Sequence, residues 1–375
     1  MKSILLAAAF SLAAFTLGAA EKAAPSKRNG CCPPPCPCPP PTQQPNWLIT
    51  PPVAPAGNPC PGYFFTADFI WWKTNISNSN FAANGFASGT LAVVGGSQTS
   101  TGPGRIQHPK FEFEPGFKVG AGVFLPHDGW DLYACYTWLH GGRHTNGISA
   151  TSSTNAINLV PSSGAGIAVA QVLGESCTWK QRFNVIDLEL GRNFFISRFL
   201  SLRPFAGLKG ARIREHLHFN SMGQGTSGGL NPGITLSPTQ QYRRQNMWGL
   251  GPRIGLDSLW HFTKEFGLYA DFAFSLLWTD YHTHFHDTST SSSTGISVTS
   301  ITVFTKEVIT NVTPVVEVGL GLSYMHWFCG DDYFLEAHAG WEGQCWWDFN
   351  HFTDYANKSG NLTLHGLTAG LKFGF

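Results

Sequence analysis

Between Leu268 and Leu276 the chain places Leu268, Ala270, Phe272, Phe274 and Leu276 at alternate positions, with Tyr269, Asp271, Ala273 and Ser275 between them. Successive side chains of a β-strand point to opposite faces, so this period of two sorts the segment into an apolar face and a face of polar or small groups. The sorting recurs at Val316, Val318, Leu320, Leu322 and Tyr324 against Glu317, Gly319, Gly321 and Ser323. It recurs again at Tyr333, Leu335, Ala337, Ala339 and Trp341 against Phe334, Glu336, His338, Gly340 and Glu342. Such a strand either packs its apolar face on a second sheet, as in a soluble sandwich or barrel, or turns that face to lipid around a polar lumen.

Composition and aromatic placement favour lipid. Only 13% of residues are charged, while 14% are aromatic and 42 are Gly. Beyond the first residues no apolar run is long enough for a transmembrane helix. Aromatic clusters at Trp71 and Trp72, Trp138, Trp278, and Trp346 and Trp347 close the apolar runs, as interfacial girdles do in membrane barrels. On a soluble surface they would form adhesive patches.

Noisier alternation covers Tyr63 to Lys73, Phe111 to Leu125, Trp130 to His140, Cys177 to Phe194, Leu200 to His218, Gln241 to Trp260 and Leu362 to Phe375. With the three clear runs this predicts an all-β protein, a transmembrane antiparallel up-and-down barrel of about ten strands spanning 62–375. Tight connections at Pro126 to Gly129, Ile196 to Phe199, His261 to Lys264 and Cys329 to Asp332 alternate with long ones. The long ones are Thr74 to Lys110, Gly141 to Ser176, Phe219 to Gln240, Asp287 to Ser300 and Phe349 to Asn361. Short periplasmic turns and long external loops are the outer-membrane layout, and an even strand number puts both barrel ends in the periplasm. The first two long segments have room for a further hairpin each, which would raise the count to about twelve or fourteen.

The N-terminus reads as an export signal: Lys2, an apolar stretch from Ile4 to Leu17, then Gly18, Ala19 and Ala20 before Glu21, with cleavage expected after Ala20. No Cys follows where a lipoprotein signal would need one. Residues 21–61 are Pro-rich and carry Cys31, Cys32, Cys36, Cys38 and Cys60 of the nine cysteines, with almost nothing to build a core. This is an extended, polyproline-like periplasmic segment. An exported chain meets oxidising conditions, and thiols on such an arm lack a structured local partner, so intermolecular disulfides are the first reading. Purely internal bridges and a metal site are the alternatives, the latter without the folded scaffold that zinc sites use.

Strand parity places Asp68, Lys118, Asp187, Glu189, Arg203, Lys209, Arg253, Asp257, Asp271, Glu317, Glu336 and Lys372 on the inner face as candidate pore-lining residues. If that face lines water, the mixed signs predict weak ion selectivity. If acids and bases pair across it, they plug the lumen, because a barrel little larger than about eight strands is nearly filled by its own side chains.

His216 and His218, and His282, His284 and His286, recur at period two on the outward face beyond the membrane band. Imidazoles so spaced can bind metal. Their strands are separated by Gln241 to Trp260, so the two sets should not converge, and rim or lipopolysaccharide contact is the expected role. Asp280 with His282, or His338 with Glu336, would be the raw material of a rim protease or lipase, but neither a Gly-x-Ser-x-Gly nor a His-Glu-x-x-His element occurs. No enzyme activity, cofactor or metal is expected. The formal net charge is +1, and outside Lys22 to Arg28 no Lys/Arg cluster is interleaved with aromatics, which argues against nucleic acid. Four Asn-x-Ser/Thr matches, at Asn75, Asn311, Asn357 and Asn361, are chance matches in a bacterial barrel.

The chain ends in alternating apolar residues, Leu367, Ala369, Leu371, Phe373 and a terminal Phe375, of which Leu371, Phe373 and Phe375 form a candidate signal for the barrel-assembly machinery. This last strand, Leu362-Thr363-Leu364-His365-Gly366-Leu367-Thr368 through Phe375, the first strand Phe64-Phe65-Thr66-Ala67-Asp68-Phe69-Ile70-Trp71-Trp72-Lys73, and the leader Cys31-Cys32-Pro33-Pro34-Pro35-Cys36-Pro37-Cys38 together carry a resemblance. The chain resembles the major-outer-membrane-protein-like, pore-forming family of Legionella and the environmental chlamydiae. The final Phe-Gly-Phe departs from the acidic residue expected before the last Phe. The resemblance implies passive diffusion of small solutes, and it agrees with disulfide linkage to copies of the chain or to other envelope proteins. A structural or adhesive barrel with little conductance is the alternative function.

Overall fold

The computed structural model describes residues 62–79, 81–84, 105–125, 129–142, 144–149, 156–158, 172–197, 199–223, 234–236, 239–293, 296–328, 333–352 and 359–375. All lie within the unit Cys36–Phe375. The export signal, the Pro/Cys segment and its cysteines Cys31, Cys32, Cys36, Cys38 and Cys60 fall outside the described residues.

Ten long strands form the wall: β1 Tyr63–Ile76, β2 Phe113–Phe124, β3 Trp130–His140, β4 Val172–Arg192, β5 Leu200–Gly223, β6 Thr239–His261, β7 Phe266–Ser293, β8 Ile296–Phe328, β9 Tyr333–Trp346 and β10 Leu362–Gly374. Each pairs antiparallel with its sequence neighbours, and β1 pairs with β10 in the register Phe64 to Gly374 through Ile76 to Leu362, so the sheet closes. Closure gives each of the ten ring strands a hydrogen-bonded neighbour on both sides around the barrel, the condition for spanning hydrocarbon. The seam is completed at the end where β1 begins and β10 finishes, where the Tyr63 and Phe375 backbones exchange bonds of 2.8 and 2.9 Å.

Three short strands, His144–Ser149, Phe194–Ser197 and Ile234–Leu236, extend this sheet to thirteen without entering the ring. Ala82–Asn84, Arg105–Gln107 and Ala156–Asn158 make a separate small sheet. The two long segments with room for extra hairpins therefore do contain strands, but these add none to the barrel.

Outside and inside alternate as the period-two pattern requires. Along β7, Phe272 and Trp278 are 50% and 62% exposed, whereas Leu277 and Thr279 between and beyond them are fully buried. A wall whose large apolar side chains face outward in a closed ring is a lipid-facing wall. Leu371, Phe373 and Phe375 stand on this outer face.

Two readings of the sequence are corrected. Asp287 to Ser300 is not a loop: β7 and β8 stay paired up to Ser293 opposite Ile296, with a bulge between Ser291 and Ser293. Ser/Thr-rich strand has no apolar face to alternate, so the period-two signal vanishes while the β-favouring threonines keep the ladder. Trp72 and Trp346 are also not in the girdle: they are 1% and 0% exposed, turned into the lumen. Adjacent residues of a strand must face opposite ways, so of the pairs Trp71/Trp72 and Trp346/Trp347 one member each could face lipid.

Candidate functional site in the barrel lumen

All twelve inner-face residues named from parity point into the lumen, and the cross-strand register decides which of them meet. Lys209 on β5 stands opposite Asp187 on β4, and Arg203 opposite Asp257 on β6. Gly207 on β5 stands opposite both Glu189 and Arg253. With no side chain at Gly207, Arg253 reaches over β5 to Glu189, its Nε donating at 3.2 Å. The same device recurs at Gly370 on β10, opposite both Asp68 and His338, whose Oδ1 and Nε2 lie 3.2 Å apart. Inward glycine is thus used where two charged side chains must meet across an intervening strand.

The resulting network is continuous. Arg203 donates to both oxygens of Asp131, from Nη2 at 2.6 Å and from Nε at 3.0 and 3.2 Å, and its Nη1 reaches Glu189 at 3.1 Å and Asp257 at 2.7 Å. Arg253 Nη1 lies 2.8 Å from Glu317, and Lys209 Nζ lies 2.7 Å from both Asp187 and Glu317. Lys209 is 0% exposed. Charges this deep persist only when paired and hydrogen-bonded, and bidentate Arg–carboxylate pairs are among the strongest such contacts.

A second cluster lies toward the β1–β10 seam. Lys118 on β2 pairs with Glu342 on β9 and lies 4.9 Å from the Trp72 ring centroid. Glu336 accepts from Ser323 at 2.9 Å, and Lys372, opposite Glu336 in register, sits 4.6 Å over the Phe64 ring. Asp271 stands opposite Asp257.

Toward the loop end the lumen changes character. Ile70, Trp72, Leu139, Trp179, Phe183, Ile213, Leu277, Tyr281 and Trp346 form a core of side chains 0–1% exposed. Buried among the wall's polar groups, Gln181 accepts from Thr74 at 2.9 Å and donates to Glu215 at 3.2 Å. Across the mouth runs a strap from Asp348 to Phe352. Gln245 on β6 grips it twice, donating to the Phe349 carbonyl at 2.9 Å and accepting from the His351 N–H at 2.8 Å. Asn350 ties it to the Ser77 carbonyl at 3.1 Å, and the Phe349 and His351 rings lie 5.9 and 4.4 Å from Tyr281.

Asp131, Gln245 and the strap were not singled out from the sequence, Glu342 was not among the candidate pore-lining residues, and Trp72 and Trp346 were read into the aromatic girdle. Glu342 shares the parity of Glu336 and was legible. Asp131 lies beside a tight turn, where parity has no second anchor, and the strap has no periodicity to read.

Chemically, the lumen is a packed ionic and apolar interior. His338 meets Asp68 rather than Glu336, and this contact lies inside the wall. Asp280 and His282 both face outward on β7, with Asp280 accepting from Thr310 at 2.7 Å. Among the described residues no group of three or more His, Cys, Asp or Glu side chains is placed to hold a metal.

The profile of the family described as Legionella pneumophila major outer membrane protein precursor matches residues 57–375. No curated protein matches the chain. Among solved structures, the outer membrane protease OmpT from Escherichia coli is 15% identical with a TM-score of 0.41, covering 87% of this chain and 99% of that one. The toluene transporter TodX of P. putida is 10% identical with a TM-score of 0.27, covering 86% and 90%. A FadL homologue of Pseudomonas aeruginosa is 7% identical with a TM-score of 0.25, covering 84% and 90%. At these scores the likenesses say nothing about activity.

Proposed function

The chain belongs to the Legionella major outer membrane protein family, and from that premise we propose that it is a porin-like outer-membrane barrel whose resting lumen is closed, serving the envelope as a structural surface protein rather than an enzyme or an open diffusion channel. The observation that carries this reading is the lumen itself: a charged layer built on Lys209, Arg203 and Arg253, then an aromatic layer built on Trp72, Trp179 and Trp346, then the Asp348–Phe352 strap, stacked in series. A ten-stranded ring is narrow enough for its own side chains to fill.

Purified, folded protein in planar bilayers is expected to stay electrically silent at neutral pH. Discrete conductance steps from a heat-modifiable, folded sample would overturn the closed reading and restore passive diffusion of small solutes, with the mixed-sign wall giving weak ion selectivity.

The structural role includes cross-linking through the Pro/Cys segment. Cys135, Cys177 and Cys345 are free in the barrel, so the support for linkage is the sequence cluster at Cys31, Cys32, Cys36, Cys38 and Cys60 in a Pro-rich stretch with few apolar residues. Isolated envelopes run without reductant should show this protein in high-mass bands that collapse to monomer when reduced; monomer in both lanes removes the cross-linking. Leu371 and Phe373 on β10 and the following Phe375 are the residues we assign to recognition by the barrel-assembly machinery.

A further inference from the structure

The outer surface of β3 to β8 carries a feature that the lumen does not explain. Cross-strand pairing defines rows that run around the wall, about 4.8 Å per strand. The row Ile186, Gly210, Leu250, Trp278 and Val312 is the last apolar one before the loop end. Next come Asn184, Arg212, Trp248, Asp280 and Thr310, then His140, Arg182, Arg214, Asn246, His282 and Val308. The row above is Lys180, His216, Arg244, His284 and Lys306, with a cation or imidazole on every one of five adjacent strands.

A final row closes the patch with stacked rings. His218 lies 4.1 Å from Tyr242, Tyr242 lies 5.9 Å from His286, and His286 lies 4.2 Å from Phe304. Tyr242 thus bridges the two histidine sets that the sequence had kept apart, into a ladder rather than a metal site.

Six Lys/Arg side chains, Lys180, Arg182, Arg212, Arg214, Arg244 and Lys306, therefore face outward over a few adjacent rows, and Asp280 is the one carboxylate on those rows. Among the described residues none of the six makes an ion pair. The charges acting on Arg214 are Arg212, Arg244 and Arg182, and those on His216 are Arg244, Arg182, Lys180 and Arg214, all of one sign. The opposite wall has no such patch: on the outer face of β9, β10, β1 and β2 the strand residues include a single Lys/Arg, Lys73.

Like charges gathered without counter-charges are unfavourable unless an anion completes them. The patch sits directly above the lipid-facing band on the long-loop side, which in an outer-membrane barrel is the external side. It is the height at which the headgroups of the outer leaflet meet the wall, and the ring ladder offers a flat apolar and hydrogen-bonding surface at its upper edge. We propose that this one-sided belt is a binding site for the phosphate groups of a phosphorylated outer-leaflet glycolipid, held by Arg214 and Arg244 at its centre with Arg182, Lys180 and Lys306 flanking. The site stands on the outer-membrane location alone and is independent of whether the lumen conducts.

The test compares folded wild type, the charge reversal Arg214→Glu with Arg244→Glu, and the control Lys73→Glu on the opposite wall, each scored for folding by heat-modifiable gel mobility. Binding is measured by native mass spectrometry after adding bis-phosphorylated lipid A, phosphatidylglycerol or inorganic phosphate. Wild type and Lys73→Glu should retain lipid A in preference to phosphatidylglycerol, and the reversal should lose at least about tenfold in retention, the scale of one or two charge-assisted hydrogen bonds. Equal retention by the folded reversal, equal retention of phosphatidylglycerol, or binding of inorganic phosphate without lipid A would each overturn the proposal. If the reversal does not fold, Arg214→Gln with Arg244→Gln takes its place with the same outcomes.

Discussion

Lys209→Met is expected to cost the barrel about 3–5 kcal/mol, the range for removing one partner from a buried ion pair. Lys209 is fully buried and its Nζ is shared at 2.7 Å by Asp187 and Glu317. Met fills nearly the same volume, so no cavity accompanies the change. What remains is an excess of negative charge, since Arg253, which already shares Glu189 with Arg203, must then serve Glu317 and, at 3.8 Å, Asp187 alone. Adding Asp187→Asn should restore most of the loss, because removing both charges of a pair is far less costly than removing one. The measurement is the urea midpoint of the folded band in lipid vesicles for the two variants. A single variant as stable as wild type, or a double variant no better than the single, would show that Lys209 is solvated and that the lumen is not closed at this layer.

The wall was legible in the sequence because it depends on a strictly local rule. Parity on each strand says which side chains face in, and Lys209, Asp187 and Glu317 could all be placed inside without knowing their neighbours. Which of them touch is a matter of register, and register depends on pairing between strands that the sequence does not state. The contact of Arg253 with Glu189 across Gly207 is visible only once the three strands are aligned. The external belt was missed for the same reason. Lys180, Arg214, Arg244 and Lys306 are scattered over some 126 residues of chain, so no run of basic residues announces them, and the closed sheet alone brings them onto neighbouring rows. The aromatic layer of the lumen was missed for a different reason: Trp72 and Trp346 were read as part of aromatic doublets, and a doublet hides which member faces lipid.

The strap is where sequence reasoning had least to offer, and it makes the second strong expectation. Gln245→Leu leaves the Phe349 carbonyl and the His351 N–H without the partners they now have inside the mouth, at about 1–3 kcal/mol for each orphaned group. Gln245→Glu keeps the acceptor for His351 and loses the donor to Phe349, so its effect should be intermediate. The readout is limited proteolysis of folded protein between Trp347 and Gly360, with Trp346 emission reporting solvent entry: resistant in wild type, cleaved in the Leu variant, partly cleaved in the Glu variant. The seat should also be sensitive to acid. Burial against Tyr281 pushes the His351 imidazole below its usual value, despite the opposing pull of Asp348. A seated strap therefore binds fewer protons than a released one, and its stability is lost as pH falls from about 6.5 through the lowered value. Wild type should become protease-sensitive over that window while His351→Leu, which cannot take up the proton, does not. Resistance unchanged in Gln245→Leu, or an acid response that persists in His351→Leu, would mean that the strap is held by its backbone bonds to Gly360 and by the Asn350 side chain on the Ser77 carbonyl, and that Gln245 and His351 are bystanders.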